Sequence, residues 1–502
     1  MAASIKANNK FGGENMKTNE EEIEWVRLFK REAETLLMFQ VPIGRNYYPE
    51  VLGIKFQPKN LKYEGWVYYA DKKDLIQEYL TIKEEYEKDP KFLLRLTEKT
   101  EEEGEKLVRK SLKLATNLKD KSNKELKEGF EEFNEMFTKY MPFIWVVFSI
   151  ERLLSEVIKQ KLKVFYSTAS DKVIGEYFNL LTSLPYKEST PVKERRKILE
   201  VAALWKKDEK TMTSEIDKKI KEIYEEYSWV GAMRVGWTYL KEPYDLKHYE
   251  GLVKALAEGN PEGERQEISR TGKELREKYN EFISKEKIDL DLIKIADLLR
   301  RYIFLRTYRG EVIVKSMVNI KPLLNQIASR FNLTQEDIVY FIPDEVMKLL
   351  ESGEMPDYKP RKIGFIIMIL DGKPRLISGV KPPEIKYKEI SELKGEGIVA
   401  GVVKGRVKII NKKEDIEKFV KGDILVTQMT SPDMMPAIVK ASAIITDEGG
   451  LTCHAALISR ELKIPCIIAT EIATKVLKDE ELVEVDSKEG VVRRVDVNEN
   501  QV

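Results

Sequence analysis

The chain has 502 residues, of which 34% are charged and 42% hydrophobic, a composition that favours a protein with several globular domains. Its 86 basic and 85 acidic side chains give a net charge of +1, so no large positive field favours nucleic acid or an anionic membrane as a partner. The two cysteines, Cys453 and Cys466, form neither a disulfide framework nor a zinc-binding pattern. The cysteine pattern therefore leads us to expect no bound metal. Because the start of the sequence has no apolar signal segment, we also expect the protein to be cytoplasmic.

The first part of the chain divides into a short polar segment and a long helical one. Residues 1–19 are polar and rich in glycine and asparagine, and we expect them to be disordered. Residues 20–377 have mostly helical periodicity, so we expect a mainly helical region that binds a substrate or a partner. The helices predicted here are Glu20–Gln40, Asp71–Tyr86, Lys91–Leu118, Lys124–Lys139, Pro142–Gln160, Lys193–Lys206, Thr213–Tyr227, Leu290–Phe331 and Pro343–Glu351.

A few strands are predicted within and after this helical region. Gly65–Tyr69 reads as a strand, and Lys362–Leu370 with Pro374–Gly379 reads as a hairpin that turns at Asp371-Gly372. Residues 378–396 contain two adjacent prolines and alternating charges without apolar periodicity, which predicts a hinge linker. From 397 to 502 the sequence changes to β-branched strands with glycine-rich turns, so we expect a separate α/β domain there.

One segment of that last domain has the pattern of a strand, a turn and a helix. Ala441–Thr446 predicts a buried strand, Gly449 and Gly450 permit a tight turn, and Thr452 is a candidate N-cap for a helix over His454–Leu462. The free amide groups in the first turn of a helix attract phosphate. The same partial positive charge disfavours imidazolium, so His454 is expected to be neutral and nucleophilic near neutral pH.

Each polar residue of this segment has a second interpretation. Thr452 and Arg460 could donate hydrogen bonds to phosphoryl oxygens, Arg460 only if its side chain curls back toward the histidine. Without further context, a histidine after two glycines is more often a capping residue, Thr452 a simple N-cap, and Arg460 a solvated or ion-paired helix residue. Only the whole string of residues decides between these interpretations.

That string, Gly-Gly-x-Thr-x-His-Ala-Ala-x-x-x-Arg-Glu with Ile-Pro-Cys after it, resembles the phosphohistidine segment of the PEP-utilising enzymes. This family includes phosphoenolpyruvate synthase, pyruvate phosphate dikinase and rifampin phosphotransferase. The resemblance extends upstream through Gly401–Val407, Gly422–Thr427 and Ser431–Pro436. It implies that the C-terminal part is the family's mobile, or swivelling, domain with a β/β/α fold, and that the whole chain is a multidomain protein.

The resemblance also assigns roles to residues. It implies that His454 is phosphorylated and carries a phosphoryl group between two distant sites, with Thr452 beside it. Gly449, Gly450 and Arg460 are the expected phosphate-binding residues.

A looser resemblance covers parts of the helical region. Two stretches are similar to rifampin-phosphotransferase-like proteins. Glu336–Phe341 resembles the segment that precedes their swivelling domain, and Tyr227-Ser228-Trp229 resembles a stretch of their helical substrate-binding domain. Tyr227 and Trp229 are therefore candidates for a pocket wall, or else ordinary packing aromatics. Arg300 and Arg301 are candidates for a phosphate-facing groove, or else part of a solvated helix face.

The sequence has no G-x-x-x-x-G-K-[ST] motif, so it contains no P-loop nucleotide site. Two parts of the family pattern are also not recognisable in it, the ATP-grasp domain and the PEP/pyruvate-binding barrel. The resemblance then implies a phosphotransferase component that binds no cofactor itself: ATP and Mg²⁺ would be held by a separate ATP-grasp subunit, and the acceptor would be a pyruvate-like or other small molecule. The alternatives are a non-catalytic binding or regulatory protein that retains the fold, and a complete ATP-dependent kinase, which nothing in the sequence supports.

Overall fold

A computed structural model describes residues 23–30, 33–208, 210–233, 238–381, 392–410, 413–430, 434–449 and 453–495. The chain forms a mostly helical N-terminal region, residues 23–378, and an α/β C-terminal domain, residues 392–495. This agrees with the fold class predicted from the sequence. In the described part of the chain, no helix is both long and apolar enough to cross a membrane.

The N-terminal region has fourteen α-helices among the described residues. They are α1 Thr35–Ile43, α2 Tyr48–Leu52, α3 Lys72–Lys88, α4 Phe92–Leu114, α5 Asn123–Tyr140, α6 Pro142–Phe165, α7 Asp171–Thr182, α8 Thr190–Lys207, α9 Ser214–Tyr227, α10 Leu246–Ala257, α11 Pro261–Glu286, α12 Leu290–Arg330, α13 Gln335–Ile338 and α14 Pro343–Ser352. Most of the predicted helices lie within a few residues of these bounds.

The central element of the region is α12, which is 41 residues long. Its apolar residues recur at helical spacing, and it packs on α4 and α6, whose own apolar faces are buried against it. Other helices of the region begin at local capping residues. At the beginning of α5, for example, Ser122 and Glu125 form a capping box. Burial of apolar surface along α12 therefore holds the helical region together.

A five-stranded antiparallel sheet covers one side of these helices, in the order β1-β3-β2-β4-β5. The strands are β1 Trp25–Lys30, β2 Leu61–Glu64, β3 Val67–Asp71, β4 Phe365–Leu370 and β5 Lys373–Ser378. The predicted hairpin is confirmed, and Asp371 and Gly372 both have positive φ, of 50° and 77°. Since β2 pairs with β4, the sheet joins the two ends of the region.

The sheet overturns one prediction. Glu20–Gln40 was expected to be a single helix, but the described part of this segment consists of β1 followed by the start of α1. The residues of β1 pair with β3, with Val26 opposite Ala70. Cross-strand pairing thus outweighs the helical preference of the neighbouring glutamates, as tertiary contacts commonly do.

The C-terminal domain is built on an eight-stranded sheet in the order β6-β13-β12-β8-β9-β10-β11-β7. Its strands are β6 Glu392–Lys394, β7 Glu396–Val399, β8 Val402–Ile409, β9 Ile424–Thr427, β10 Ala443–Thr446, β11 Cys466–Ile468, β12 Leu482–Asp486 and β13 Val491–Arg494. The helices are α15 Lys413–Glu417, α16 Met435–Ile438, α17 His454–Leu462 and α18 Ala473–Val476. Strands β8 to β11 are parallel, and β9 and β10 are buried along their whole length.

The two edge strands of this sheet, β6 and β7, follow one another in the chain and are separated only by Gly395. The Gly395 amide donates to the Gly490 carbonyl at 2.9 Å. A Cβ on Gly397 would lie 1.8 Å from the Ser487 carbonyl oxygen, so only glycine fits there. The end of the predicted hinge, residues 392–396, is therefore part of the sheet, while residues 382–391 lie outside the described part.

The two parts of the chain are in contact. Leu457 of α17 packs against the core of the helical region, and Val192 of α8 packs against a core of the C-terminal domain. Lys463 Nζ and a carboxylate oxygen of Glu274 on α11 are 3.4 Å apart. One face of α17 therefore docks on the helical region.

Candidate functional site

The candidate site lies where β10 passes into α17. Strand β10 ends at Thr446, and α17 begins at His454, the residue at which the helix was predicted to begin. Gly449 has φ 146°, and a Cβ there would lie 2.8 Å from Cys453 Sγ. The turn thus requires glycine at this position. Gly450 and Thr452 lie outside the described residues, so their predicted roles at the phosphate stay predictions.

The N-cap of α17 is Cys453, and the prediction of Thr452 as the N-cap is wrong. Cys453 Sγ accepts a hydrogen bond from the Ala456 amide at 3.4 Å, and Cys453 has extended backbone angles. The prediction relied on the preference of hydroxyl groups for this position. The helix begins at His454 as predicted, and the buried thiol directly before it takes the role of the cap.

The two ring nitrogens of His454 have different surroundings. Nδ1 is 2.8 Å from the hydroxyl oxygen of Thr430, a residue that is 3% exposed. Nε2 is buried and has no hydrogen-bond partner among the described residues. When Nδ1 carries the proton and donates it to Thr430, the lone pair of Nε2 is left free. The geometry therefore presents Nε2 as a nucleophile.

The charge state of His454 follows from its surroundings. Burial lowers the pKa of His454 to about 4, because the imidazolium loses more solvation than the neutral ring. The ring is thus neutral at physiological pH, as the sequence led us to expect. The sequence attributed this to the helix N-terminus, whereas the structure attributes it to desolvation.

Neighbouring polar contacts fix the two loops that meet at the site. The Asp447 carboxylate accepts hydrogen bonds from the Thr474 amide at 3.0 Å and from the Thr474 hydroxyl. Gln428 Nε2 donates to Glu448 Oε1 at 3.0 Å. These loops follow the parallel strands β9 and β10, at the edge where open α/β sheets place their sites. The Gln428–Glu448 hydrogen bond joins the loop that contains Thr430 to the loop that leads to α17.

Arg460, a predicted phosphate ligand, lies about 9 Å farther along the helix axis than His454. Burial lowers the pKa of its guanidinium, and the Glu396 carboxylate opposes this change. Helix α17 contacts β7, the strand that contains Glu396. The role of Arg460 at a phosphate remains a prediction.

The four candidates in the helical region are not gathered in one place. Tyr227 and Trp229 are 3% and 6% exposed and belong to the core between α8, α9 and α10. Their burial fits the interpretation as packing aromatics. The Arg301 guanidinium lies 4.6 Å from the ring centre of Tyr186. Arg300 ion-pairs with Asp297 and lies 4.8 Å from the ring centre of Tyr279.

Arg300 also lines a cavity of about 960 Å³ between the helical region and the C-terminal domain. Glu461 of α17 lines the same cavity, and sequence reasoning missed it. Its spacing from His454, two helical turns on one face of the helix, was the available signal. Burial raises the pKa of Glu461 to about 7. Among the described residues, no cluster of histidine, cysteine and carboxylate side chains is suited to a metal ion.

Comparison with known proteins gives matches to the C-terminal part of the chain. Residues 419–490 match the family described as the mobile domain of the PEP-utilising enzymes. A probable phosphoenolpyruvate synthase of Archaeoglobus fulgidus is 43% identical over 164 residues, which is 30% of this chain and 22% of that protein. One from Methanothermobacter thermautotrophicus is 52% identical over 118 residues, 24% of this chain and 17% of that protein.

A third relative also matches only part of the chain. The phosphoenolpyruvate synthase of Pyrococcus furiosus is 39% identical over 197 residues, which is 37% of this chain and 23% of that protein. The chain therefore spans less than a quarter of the length of each of these three relatives.

Proposed function

We propose that the chain, a member of the PEP-utilising enzyme family through its mobile domain, transfers a phosphoryl group by way of phosphohistidine at His454. The observation that carries the proposal is the pair of contacts at the ring: Nδ1 is hydrogen-bonded to Thr430, and Nε2 is buried with a free lone pair. A neutral ring with one nitrogen held and the other free is the form that attacks phosphorus.

The transfer has two steps. In the first, the Nε2 lone pair forms an N–P bond while the P–O bond to the donor breaks, and the donor's oxygen leaves with the bonding electrons. In the second, an acceptor oxygen forms a P–O bond, the N–P bond breaks, and Nε2 regains its lone pair. The acceptor's proton passes to solvent or to a base at the acceptor site. Nδ1 keeps its proton throughout, donated to Thr430.

The start of α17 supports the charge that develops in both steps. The helix is nine residues long, so its N-terminal partial positive charge lies beside the ring. The amides of His454 and Ala455 lie in its first turn and point along the axis toward the N-terminus. They are suited to bind phosphoryl oxygens on Nε2, with Thr452, Gly449, Gly450 and Arg460 as the further ligands that the family pattern implies.

The proposal also covers the donor and the acceptor of the phosphoryl group. We propose that ATP and Mg²⁺ are bound by a separate ATP-grasp subunit, as the resemblance to the PEP-utilising enzymes implies. The acceptor is a pyruvate-like or other small molecule that reaches His454 from the helical region. A histidine on a mobile domain fits this arrangement, because donor and acceptor sites too far apart for one active centre need a moving carrier.

The test is phosphoryl transfer with defined chains. The purified protein is mixed with ATP and Mg²⁺, with and without a candidate ATP-grasp chain, and its intact mass is measured. We expect one added phosphoryl group only when the second chain is present, labile to acid and stable to alkali as a phosphoramidate is. Efficient labelling by ATP alone would overturn the separate donor subunit, and labelling of a residue other than His454 would overturn the relay.

A further inference from the structure

The cavity between the helical region and the C-terminal domain has the size of a small-molecule site, at about 960 Å³. One wall consists of residues from α8, α11 and α12 and from the segment before α8. The other consists of residues around α16 and from the second half of α17. The cavity therefore exists in this form only while the two parts of the chain are docked.

The wall from the C-terminal domain is apolar with a single exception. The exception is Glu461, whose Oε2 is buried without a hydrogen-bond partner among the described residues. The apolar residues of this wall are Met435, Val439, Ala441, Leu462 and Ile464. This side of the cavity suits the apolar body of a ligand.

The wall from the helical region is charged, and two of its arginines have hydrogen-bond donors that are not used by an acid of the described residues. Its acids already have cationic partners: Glu264 pairs with Arg195 at 2.6 Å, and Asp297 pairs with Arg300. Arg300 uses Nη2 for that pair, and its Nη1 is buried without a partner in the described part of the chain. Arg276 makes no ion pair with any described residue, although it lines the same wall.

We propose that this cavity binds a small amphipathic anion, with its apolar body against the C-terminal domain and its carboxylate, sulfonate or phosphate group at Arg300 and Arg276. Arginine binds such groups through charge-assisted hydrogen bonds, which are the strongest hydrogen bonds a protein offers an anion. Because the ligand touches both walls, its binding stabilises the docked arrangement. The proposal does not require phosphoryl transfer, since Glu461 lies about 10 Å along α17 from His454.

Two fluorescent probes with similar apolar bodies test the proposal. Anilinonaphthalene sulfonate carries an anionic group, and phenylnaphthylamine does not. Both are titrated into the full chain, and we expect the sulfonate to bind about tenfold more tightly or better, as one or two charge-assisted hydrogen bonds predict. Equal affinity for the two probes would show that the cationic wall plays no part.

Variants then locate the binding site. Arg300→Gln and Arg276→Gln should each weaken binding of the sulfonate by about tenfold and leave the neutral probe unchanged. Val439→Ser, on the apolar wall, should weaken the binding of both probes. The matched control is Arg265→Gln, because Arg265 lies half-buried on the same helix α11, pairs with Glu262 and does not line the cavity; it should change neither affinity.

The result remains decisive if the Arg300 variant fails to fold, because Arg276 lies at the exposed edge of the cavity and its variant is expected to keep the native thermal melt. Unchanged sulfonate binding in a folded Arg276→Gln protein would overturn the proposal. His454→Ala should bind both probes like the native chain. A native chain that binds the sulfonate selectively but takes up no phosphoryl group would thus refute the proposed function alone, and a native chain that takes up the phosphoryl group but binds both probes equally would refute this inference alone.

Discussion

Thr430 and His454 are 24 positions apart in the sequence, and the Thr430 hydroxyl oxygen lies 2.8 Å from His454 Nδ1. When the Thr430 hydroxyl accepts from Nδ1–H, this contact holds the proton on Nδ1. It leaves Nε2 free, and the proposed chemistry depends on that tautomer.

Replacing Thr430 with valine keeps the shape and removes the hydroxyl, so the tautomer is no longer fixed. We expect Thr430→Val to slow phosphorylation of His454 by about tenfold or more, in the range of other removed positioning contacts, while Thr430→Ser keeps most of the rate. The nitrogen chemical shifts of His454 provide a second readout, because they report the tautomer directly. Native rates and shifts in the valine variant would mean that Thr430 does not position the ring.

The pKa of His454 is predicted to be about 4. Since the chain has only two histidines, NMR titration of labelled histidine can follow each ring separately. The ordinary pKa of histidine in the unfolded chain is higher, so the unfolded state binds more protons between about pH 4 and pH 6.5. The contribution of His454 to the free energy of unfolding is therefore complete above pH 6.5 and is lost as the pH falls toward 4. His454→Gln should remove this dependence, and a titration midpoint near pH 6.5 in the native chain would contradict the burial of the ring.

Cys453 caps α17 through its thiol. Cys453→Ala removes the acceptor and should destabilise the C-terminal domain by about 1 kcal/mol, as other lost N-caps do. Cys453→Ser supplies a better acceptor and should restore the stability. Thermal melts of the two variants make the measurement, and an alanine variant as stable as the native chain would show that the thiol does not act as a cap.

Gly397 is predicted to accept no side chain, because a Cβ would lie 1.8 Å from the Ser487 carbonyl oxygen. Gly397→Ala should cost more than about 2 kcal/mol, since backbone cannot move aside as a flexible side chain can. The control is Gly422→Ala, where a Cβ has no atom within 4 Å and only the φ of 101° is unfavourable. If urea unfolding gave equal losses for both variants, the close approach of β7 to Ser487 would be wrong.

The predicted hinge can be tested by limited proteolysis. Because β5 ends at Ser378 and β6 begins at Glu392, cleavage between residues 379 and 391 should release an intact C-terminal domain. The released fragment is identified by mass. Primary cleavage inside β6 or β7 would contradict their place in the sheet.

The sequence was most informative where a pattern is local. The strand before the site, the glycine at Gly449 and the helix from His454 follow from residues within one short segment, and the structure has them at the predicted positions. The hairpin at Asp371-Gly372 follows in the same way from its turn residues.

What the sequence could not predict depends on contacts between distant segments. Thr430 reaches His454 only because β9 and β10 are neighbours in the sheet. Likewise β1 exists because it pairs with β3, and its own residues do not distinguish it from the helix expected there. The helical spacing of Glu461 from His454 is local, but its place in the cavity wall depends on the docking of α17 on the helical region.

The central claim is that His454 carries the phosphoryl group. Its most direct test compares the native chain with His454→Ala in the presence of ATP, Mg²⁺ and a candidate ATP-grasp chain, with phosphate incorporation and a thermal melt measured on the same samples. We predict one acid-labile phosphoryl group on the native chain and none on the variant. The melts should differ by no more than about 1 kcal/mol in stability, because His454 as a whole residue is half-buried and its ring makes a single side-chain hydrogen bond among the described residues. Full labelling of the folded His454→Ala protein would contradict the account, because the phosphoryl group would then be carried elsewhere.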